Sequence, residues 1–556
     1  MHEIKKMFRW VVPIAVVAAL MGCQQESETT DVGFKPVAAD AIYHNGRIYT
    51  LDDQRSWAEA VAIRDGRFIA VGSNDTALAN QGPETKMVDL SGKMAMPGIH
   101  DGHLHLLLAG LANTQWCRLP NEGWDVARQK LQDCAAQLSD DEWLFAFPYQ
   151  PGWFENGLDK AILDEVVPDH PLYMPRWDIH ITAVNSKGLG IALSQGTDEL
   201  FAGGRLIYND EGEPTGELIE GASWLAGRNL PKYTEQQLEE ALLWSIRTAN
   251  RFGVTSAQES SAIEPLLKSL KKLDEEGKVS MHVAAYLVWW NENFGEASKE
   301  AMNALSDRRE DYRSEHVDVS FAKVWLDGTP VPPNPSTVEL IAETDTPEYE
   351  NAFIDQKTLT EAVSQYDRAG IQVKMHAAAA GATRMALDAI EAVRKQNPAS
   401  TLMHQLGHSS DITPGDRARV AALGAGSDMS PSVWGWEPDG DSFPMKELQA
   451  AGTVITLGSD WPFPNVDDNN PFPPLADALM RTKQGIDIEA GIKMLTINGA
   501  ITIGAEKRTG SIKVGKSADF IVLDRNLLES SVEEIRHTQV LETVFEGTTV
   551  YSVQSE

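Results

Sequence analysis

Apolar and polar positions along the chain keep two rhythms. Near the start, Asp40–Thr50 and Ala60–Gly72 are short β-rich runs broken by Asn45-Gly46 and Asp65-Gly66, dipeptides that favour tight hairpins. The far end reads the same way, with Ala518–Leu523 and Val540–Val553 strand-like. The spacing predicts a small β-sandwich assembled from both chain ends, with a larger domain between them. The middle follows a helical period. Thr234-Glu235-Gln236-Gln237 is a capping box, and Leu238, Ala241, Leu242, Ser245, Ile246 and Ala249 fall on one helix face. Gly253 ends that helix, and Val254–Ala257 reads as a buried strand. The phrase recurs: Gly277 precedes Val279–Tyr286, Gly370 precedes Ile371–Met375, Gly424 closes a helix that begins after Pro414, and Gly452 precedes Thr453–Leu457. Helix-then-strand units with glycine C-caps predict a parallel α/β sheet.

The length, 556 residues, accommodates a (β/α)8 barrel plus the smaller β domain. Acidic residues outnumber basic ones 81 to 48, a formal charge of −33, which disfavours nucleic acid and anionic membrane surfaces as partners. The charge itself says almost nothing about a small-molecule substrate. Lys5, Lys6 and Arg9 precede an apolar run, Trp10–Gly22, too short for a comfortable bilayer span. This is the pattern of a signal peptide. Its end, Leu20-Met21-Gly22-Cys23, resembles the bacterial lipobox, with Met21 an unusual residue there. That resemblance implies cleavage before Cys23, lipidation of its thiol, and an exported chain anchored on the periplasmic side of the cell envelope; Gln24 in place of Asp after the Cys favours the outer membrane where the cell has one. Cys117 and Cys134 are then left either as a disulfide or as two free thiols.

The chemistry concentrates in Pro97-Gly98-Ile99-His100-Asp101-Gly102-His103-Leu104-His105. Two histidines one residue apart on a strand face the same side, and imidazole suits zinc and similar ions. Alone, the pair is a weak signal. His376 follows the expected strand Ile371–Met375, His408 follows Thr401–Leu406, and Asp460 follows Val454–Gly458. Each lies at the C-terminal end of a strand, and in a barrel those ends converge on one rim.

With these motifs in place, the chain resembles the amidohydrolase superfamily, and more closely amidohydrolase family 3, the group that includes N-substituted formamide deformylases. Supporting pieces are Arg176-Trp177-Asp178-Ile179-His180, Gly212–Gly216, Lys323–Gly328, Thr496–Ala500 and Gly515–Asp519. Together these readings divide the chain into a signal peptide at 1–22, lipidated Cys and tether at 23–39, sandwich segments at 40–95 and 508–556, and a hydrolase barrel with insertions at 96–507. The family resemblance implies one or two divalent ions, zinc first, manganese or iron as alternatives. His103, His105 and Asp460 would hold one ion, His376 and His408 the other. Lys323 would bridge them as a carbamate; the competing reading is an ordinary ion pair with Asp327. Hydrolysis would proceed by a metal-activated hydroxide, with Asp460 carrying the proton and His180 polarising or orienting the substrate carbonyl. Asp101 would orient a ligand histidine. The implied reaction is cleavage of a non-peptide C–N bond in an N-formyl, N-acyl or cyclic amide. The alternatives are an ester, lactone or dipeptide cleaved with one metal, and a metal- or ligand-binding lipoprotein without catalysis. Trp153, Phe154, Trp434, Trp436, Trp461 and Phe463 are candidate pocket aromatics, while Met281 and His282 read as core.

Overall fold

The computed structural model describes residues 37–554 apart from 155–156, 195, 197–202, 290–298, 333, 432 and 434–439. The expected signal peptide, Cys23, most of the tether, Trp434 and Trp436 lie outside the described residues.

Eight parallel strands form the barrel: β1 (Ile99–Leu104), β2 (Val254–Ala262), β3 (His282–Trp289), β4 (Val317–Trp325), β5 (Gln372–Ala377), β6 (Gln405–His408), β7 (Gly426–Met429) and β8 (Val454–Leu457). Each pairs with its neighbour in chain order. The seam between β8 and β1 closes just beyond the strands, where Leu104 bridges Trp461 and the Asp460 N–H donates to the His103 carbonyl at 2.7 Å. The closure thus runs through the residues expected to carry the chemistry. All eight residues of β3 are buried, as a strand covered on both faces requires. The five glycines read as helix stops, Gly253, Gly277, Gly370, Gly424 and Gly452, all have positive φ.

Helix Glu235–Arg251 carries the expected capping box and buries Leu238, Ala241, Leu242, Ser245, Ile246 and Ala249. Each large aliphatic side chain among them contributes about 1.5–3 kcal/mol. Helix Leu106–Thr114 lies directly on it, an approach that needs a glycine: a Cβ on Gly110 would sit 2.1 Å from the Ala241 carbonyl oxygen.

The sandwich draws on both chain ends. One sheet holds Ala41–His44, Ala60–Arg64, Arg67–Gly72 and Lys86–Asp89; the other holds Arg47–Asp52, Arg55–Ala58, Met94–Pro97, Phe520–Leu523, Val540–Phe545 and Thr548–Ser552. Tyr43, Ile48, Phe68, Phe520 and Val544 fill the space between. Asp65 and Gly66, at φ 49° and 73°, make the expected tight hairpin. Asn45-Gly46 does not. The strands on either side of it belong to different sheets, and the turn packs on Leu90, whose Cδ1 would lie 2.4 Å from a Cβ at position 46. A tertiary contact overrides the local hairpin preference.

The sandwich meets the N-terminal end of the barrel through histidines. His282 is buried, as expected, but it is a polar tie, 3.1 Å from Asp519. His316 Nδ1 lies 2.6 Å from Asp274 and Nε2 3.3 Å from Glu546. Burial disfavours its charge, but the two carboxylates overcome that and push its pKa up to about 10. A histidine whose pKa rises on folding contributes most stability below its unfolded value, about 6.5, and the contribution vanishes as pH climbs through about 10. The apparent Tm should therefore fall across that alkaline window. In His316→Gln it should be several degrees lower at pH 6.5 and decline less between pH 6.5 and 10. An unchanged pH slope by calorimetry would remove His316 as its source.

Residues 105–253 include a second, mixed sheet that the pattern did not predict. Its strands run in the order Arg205–Tyr208, Pro214–Ile219, Ile181–Val184, Leu172–Pro175, Leu144–Phe147, Cys117–Arg118. A disulfide joins Cys117 to Cys134 and ties the edge strand to helix Trp124–Ala135. Trp153 and Phe154 pack into this insertion's own core and do not line the pocket.

Candidate metal centre

His103 and His105, at the end of β1, face one side. His408 ends β6, and Asp460 follows β8 in a left-handed conformation, φ 56°. Asp460 is the meeting point. Its Oδ1 lies 3.2 Å from His105 Nε2 and 3.6 Å from His103 Nε2, and its Oδ2 lies 4.0 Å from His408 Nδ1. Ligand atoms of His103, His408 and Asp460 all fall within 4.8 Å of one another. The His408 ring sits 4.4 Å, centroid to centroid, from both His103 and His376. Lys323, on β4, places Nζ 3.0 Å from His103 Nε2. On β5, His376 Nε2 lies 3.1 Å from the Gly328 carbonyl oxygen. All six line one pocket, with His180, Asp178, Ile179, Trp325, Thr329, Val433 and Phe463 as its remaining wall.

The surroundings suit cation ligation. Burial, reinforced by the nearby Lys323 charge, holds His103 and His376 well below the ordinary imidazole pKa; His408 is lowered by burial and by His376. Neutral imidazoles keep a lone pair for a metal. The far nitrogens of the β1 pair are anchored: His103 Nδ1 lies 2.6 Å from Asp428, and His105 Nδ1 2.8 Å from the Ser261 hydroxyl. Both Nε2 atoms are thereby aimed at Asp460. Burial and the Lys374 charge lower the Lys323 pKa to about 7, so an appreciable neutral fraction exists near neutrality. The donor set fits a divalent ion.

Asp327 does not pair with Lys323. It is buried and accepts the backbone N–H groups of Val338, Ala378 and Ala379. Asp101 does not touch a histidine ring either. It accepts the backbone N–H groups of His103 and Ser459 and the Asn469 amide, pinning β1 to the Asp460 loop. The carboxylate that orients a ring is Asp428 on β7, which also pairs with Lys374 of β5 at 3.3 Å. Neither residue stands out in the sequence. The available signal was a charge inside each of two otherwise buried strands, with Lys374 two residues before His376 and hence on its face. His100 lies below the site among Ser256 and Gln258. Glu259 accepts the Leu106 and Ser261 amides beside His105. Of the described candidate aromatics, Phe463 lines the pocket, while Trp461 is buried against Trp244.

A parallel barrel with a histidine–aspartate cluster at the C-terminal ends of its strands is the architecture of a metal-dependent hydrolase. The model of the amidohydrolase family matches residues 86–551, and the chain belongs to that family. It is 26% identical to protein LONG AFTER FAR-RED 3 of Arabidopsis thaliana over 93% of this chain and 92% of that protein. It is 24% identical to the N-substituted formamide deformylase of Arthrobacter pascens, over 92% and 98% of the two chains. Among solved structures, an uncharacterized metal-dependent hydrolase from Pyrococcus horikoshii OT3 superposes with a TM-score of 0.68 at 20% identity, covering 89% of this chain and 99% of that one, a likeness of fold.

Proposed function

We propose that the protein hydrolyses a non-peptide C–N bond, in a small N-formyl, N-acyl or cyclic amide, with divalent metal held by His103, His105, His376, His408 and Asp460. The observation that carries this reading is the Asp460 carboxylate, shared among three imidazoles inside a buried pocket. A carboxylate so placed can hold a cation and, in a hydrolase, also carry a proton, and membership of the amidohydrolase family favours the second use. Bound metal supplies a Lewis acid and lowers the pKa of its water toward about 7. The chain's own residues do the rest. Asp460 receives the proton of the attacking water and returns it to the departing nitrogen. Neutral Lys323 would add CO₂ through its amine nitrogen with release of a proton to solvent, and the resulting carbamate would give the second ion, at His376 and His408, an anionic partner. Ile179, Val433 and Phe463 form an apolar side to the pocket, suited to an uncharged substituent. The similarity to a formamide deformylase supports the amide class without specifying the substrate.

The test is a panel of formamides, N-acyl amines, N-acyl amino acids and cyclic ureides, set beside esters, lactones and dipeptides, on metal-replete and chelated protein. Turnover should be confined to C–N substrates outside the dipeptides, should fall at least about a hundredfold on chelation, and should return with about two equivalents of metal per chain. Cleavage of esters, lactones or dipeptides alone, or with one equivalent and unmodified Lys323, would select the single-metal alternative.

A further inference from the structure

We propose that Glu220 is the positioning residue for His180, fixing the imidazole so that Nε2 is the nitrogen offered to the substrate. The proposal rests on the C–N hydrolase reading for what Nε2 meets, and on geometry alone for the pair itself.

His180 lies in the turn between Leu172–Pro175 and Ile181–Val184 of the inserted sheet, yet it lines the pocket beside the barrel ligands, 5.8 Å from the His376 ring. Its Nδ1 sits 2.9 and 3.0 Å from the two Glu220 carboxylate oxygens. The Glu220 backbone N–H donates to the His180 carbonyl at 2.8 Å, so the residues are joined twice. Antiparallel pairing explains the meeting: Ile181 lies opposite Ile219, and the next residue on each strand's path is His180 on one side and Glu220 on the other.

The seat of Glu220 is specific. The residue is buried and left-handed, φ 47°, and Ile179, next to His180, has φ 60°. Positive φ is uncommon outside glycine and rarer still for a β-branched residue such as Ile179, and these two positive-φ positions flank one histidine contact. Ser336, in the loop after β4, donates its hydroxyl to Glu220 Oε1 at 2.5 Å. In the same loop a Cβ on Gly328 would lie 2.0 Å from that oxygen, so only glycine leaves room for the carboxylate. Arg176, the nearby cation, is occupied by Asp178. With Nδ1–H held by Glu220, the ring cannot flip without losing that bond, and Nε2 is the nitrogen left to face the substrate. In the imidazolium form, which the facing Glu220 carboxylate favours against burial, Nε2–H can donate to an amide's carbonyl oxygen or departing nitrogen. A buried polar pair with a purely structural role would share the distances but not the kinetic coupling.

A double-mutant cycle separates the two. His180→Gln should lower kcat about a hundredfold on the best amide of the panel, within the range for a positioned acid–base or polarising group. Glu220→Ala should lower kcat about ten- to a hundredfold with metal content unchanged. The double variant should be no slower than His180→Gln, and Glu220→Gln, whose amide oxygen still accepts Nδ1–H, should recover most of the loss. Losses that multiply, or a Glu220→Ala variant with unchanged kcat, would overturn the proposal. Nitrogen NMR of histidine-labelled protein provides a readout independent of turnover. The His180 Nδ1–H signal should be present in the wild type and in Glu220→Gln, and lost or shifted in Glu220→Ala. If no amide is turned over by the wild type, the C–N reading fails, and the same cycle is run on whichever ester, lactone or dipeptide of the panel is cleaved: non-multiplying losses uphold the pair, and multiplying losses or an absent Nδ1–H signal refute it.

Discussion

Asp460→Asn should lower kcat about a thousandfold while leaving most of the metal in place. The side chain sits within 3.2–4.0 Å of nitrogens from His103, His105 and His408, so it is a candidate ligand as well as a proton carrier. Asparagine is nearly isosteric and keeps a carbonyl oxygen for ligation, but an amide cannot accept a proton near neutral pH. The substitution therefore divides the two roles. A general base contributes about 10²–10⁴ in rate, whereas losing one charged ligand from a set with several imidazoles weakens binding without emptying the site. Metal content by elemental analysis and steady-state kinetics on the same preparation decide it. A variant that turns over normally with full metal would show that Asp460 moves no proton. A variant that is inactive because it is metal-free would show that ligation is its main role, and add-back of excess metal would then restore activity.

The parts of this molecule that could be read from the sequence are those in which local pattern and tertiary role coincide. The helix at Glu235–Arg251 is one: cap, apolar face and terminal glycine all point the same way, and each is present. The convergence of the candidate ligands in one pocket is another, because strand ends in a barrel must converge and the histidines lie at strand ends. The inserted sheet was hidden because its strands are two to six residues long, too short for alternation to stand out, and their order is set by long connections. Asn45-Gly46 misled because Leu90 packs against the turn and sends its two strands to different sheets. Asp428 and Lys374 are illegible for a different reason. A buried charge can be read only with its partner, and these two are 54 residues apart, meeting across the barrel interior.

That meeting yields the second large effect. Asp428→Ala should destabilise the protein by about 3–5 kcal/mol, because it leaves Lys374 as a fully buried cation without its counter-charge. Burial pushes the Asp428 pKa up to about 6 even with Lys374 opposing, so the pair is held under a desolvation penalty that each partner offsets for the other. Asp428 also holds His103 Nδ1 at 2.6 Å and thereby aims Nε2 at Asp460 and the proposed metal position. Losing such a partner typically costs about 10–100-fold in metal affinity. Stability and affinity can be pulled apart by Asp428→Ala combined with Lys374→Met, which removes both charges and keeps most of the volume. Lys374 also donates to the Gly102 carbonyl, and an acceptor stripped of that bond costs about 1–3 kcal/mol, so recovery should be incomplete. The double variant should regain most of the lost melting temperature yet bind metal as weakly as Asp428→Ala in a chelator competition. Recovery of both together would mean that Asp428 serves only to neutralise Lys374. Recovery of stability alone would establish that the same carboxylate balances a buried lysine on one side and orients a ligand ring on the other.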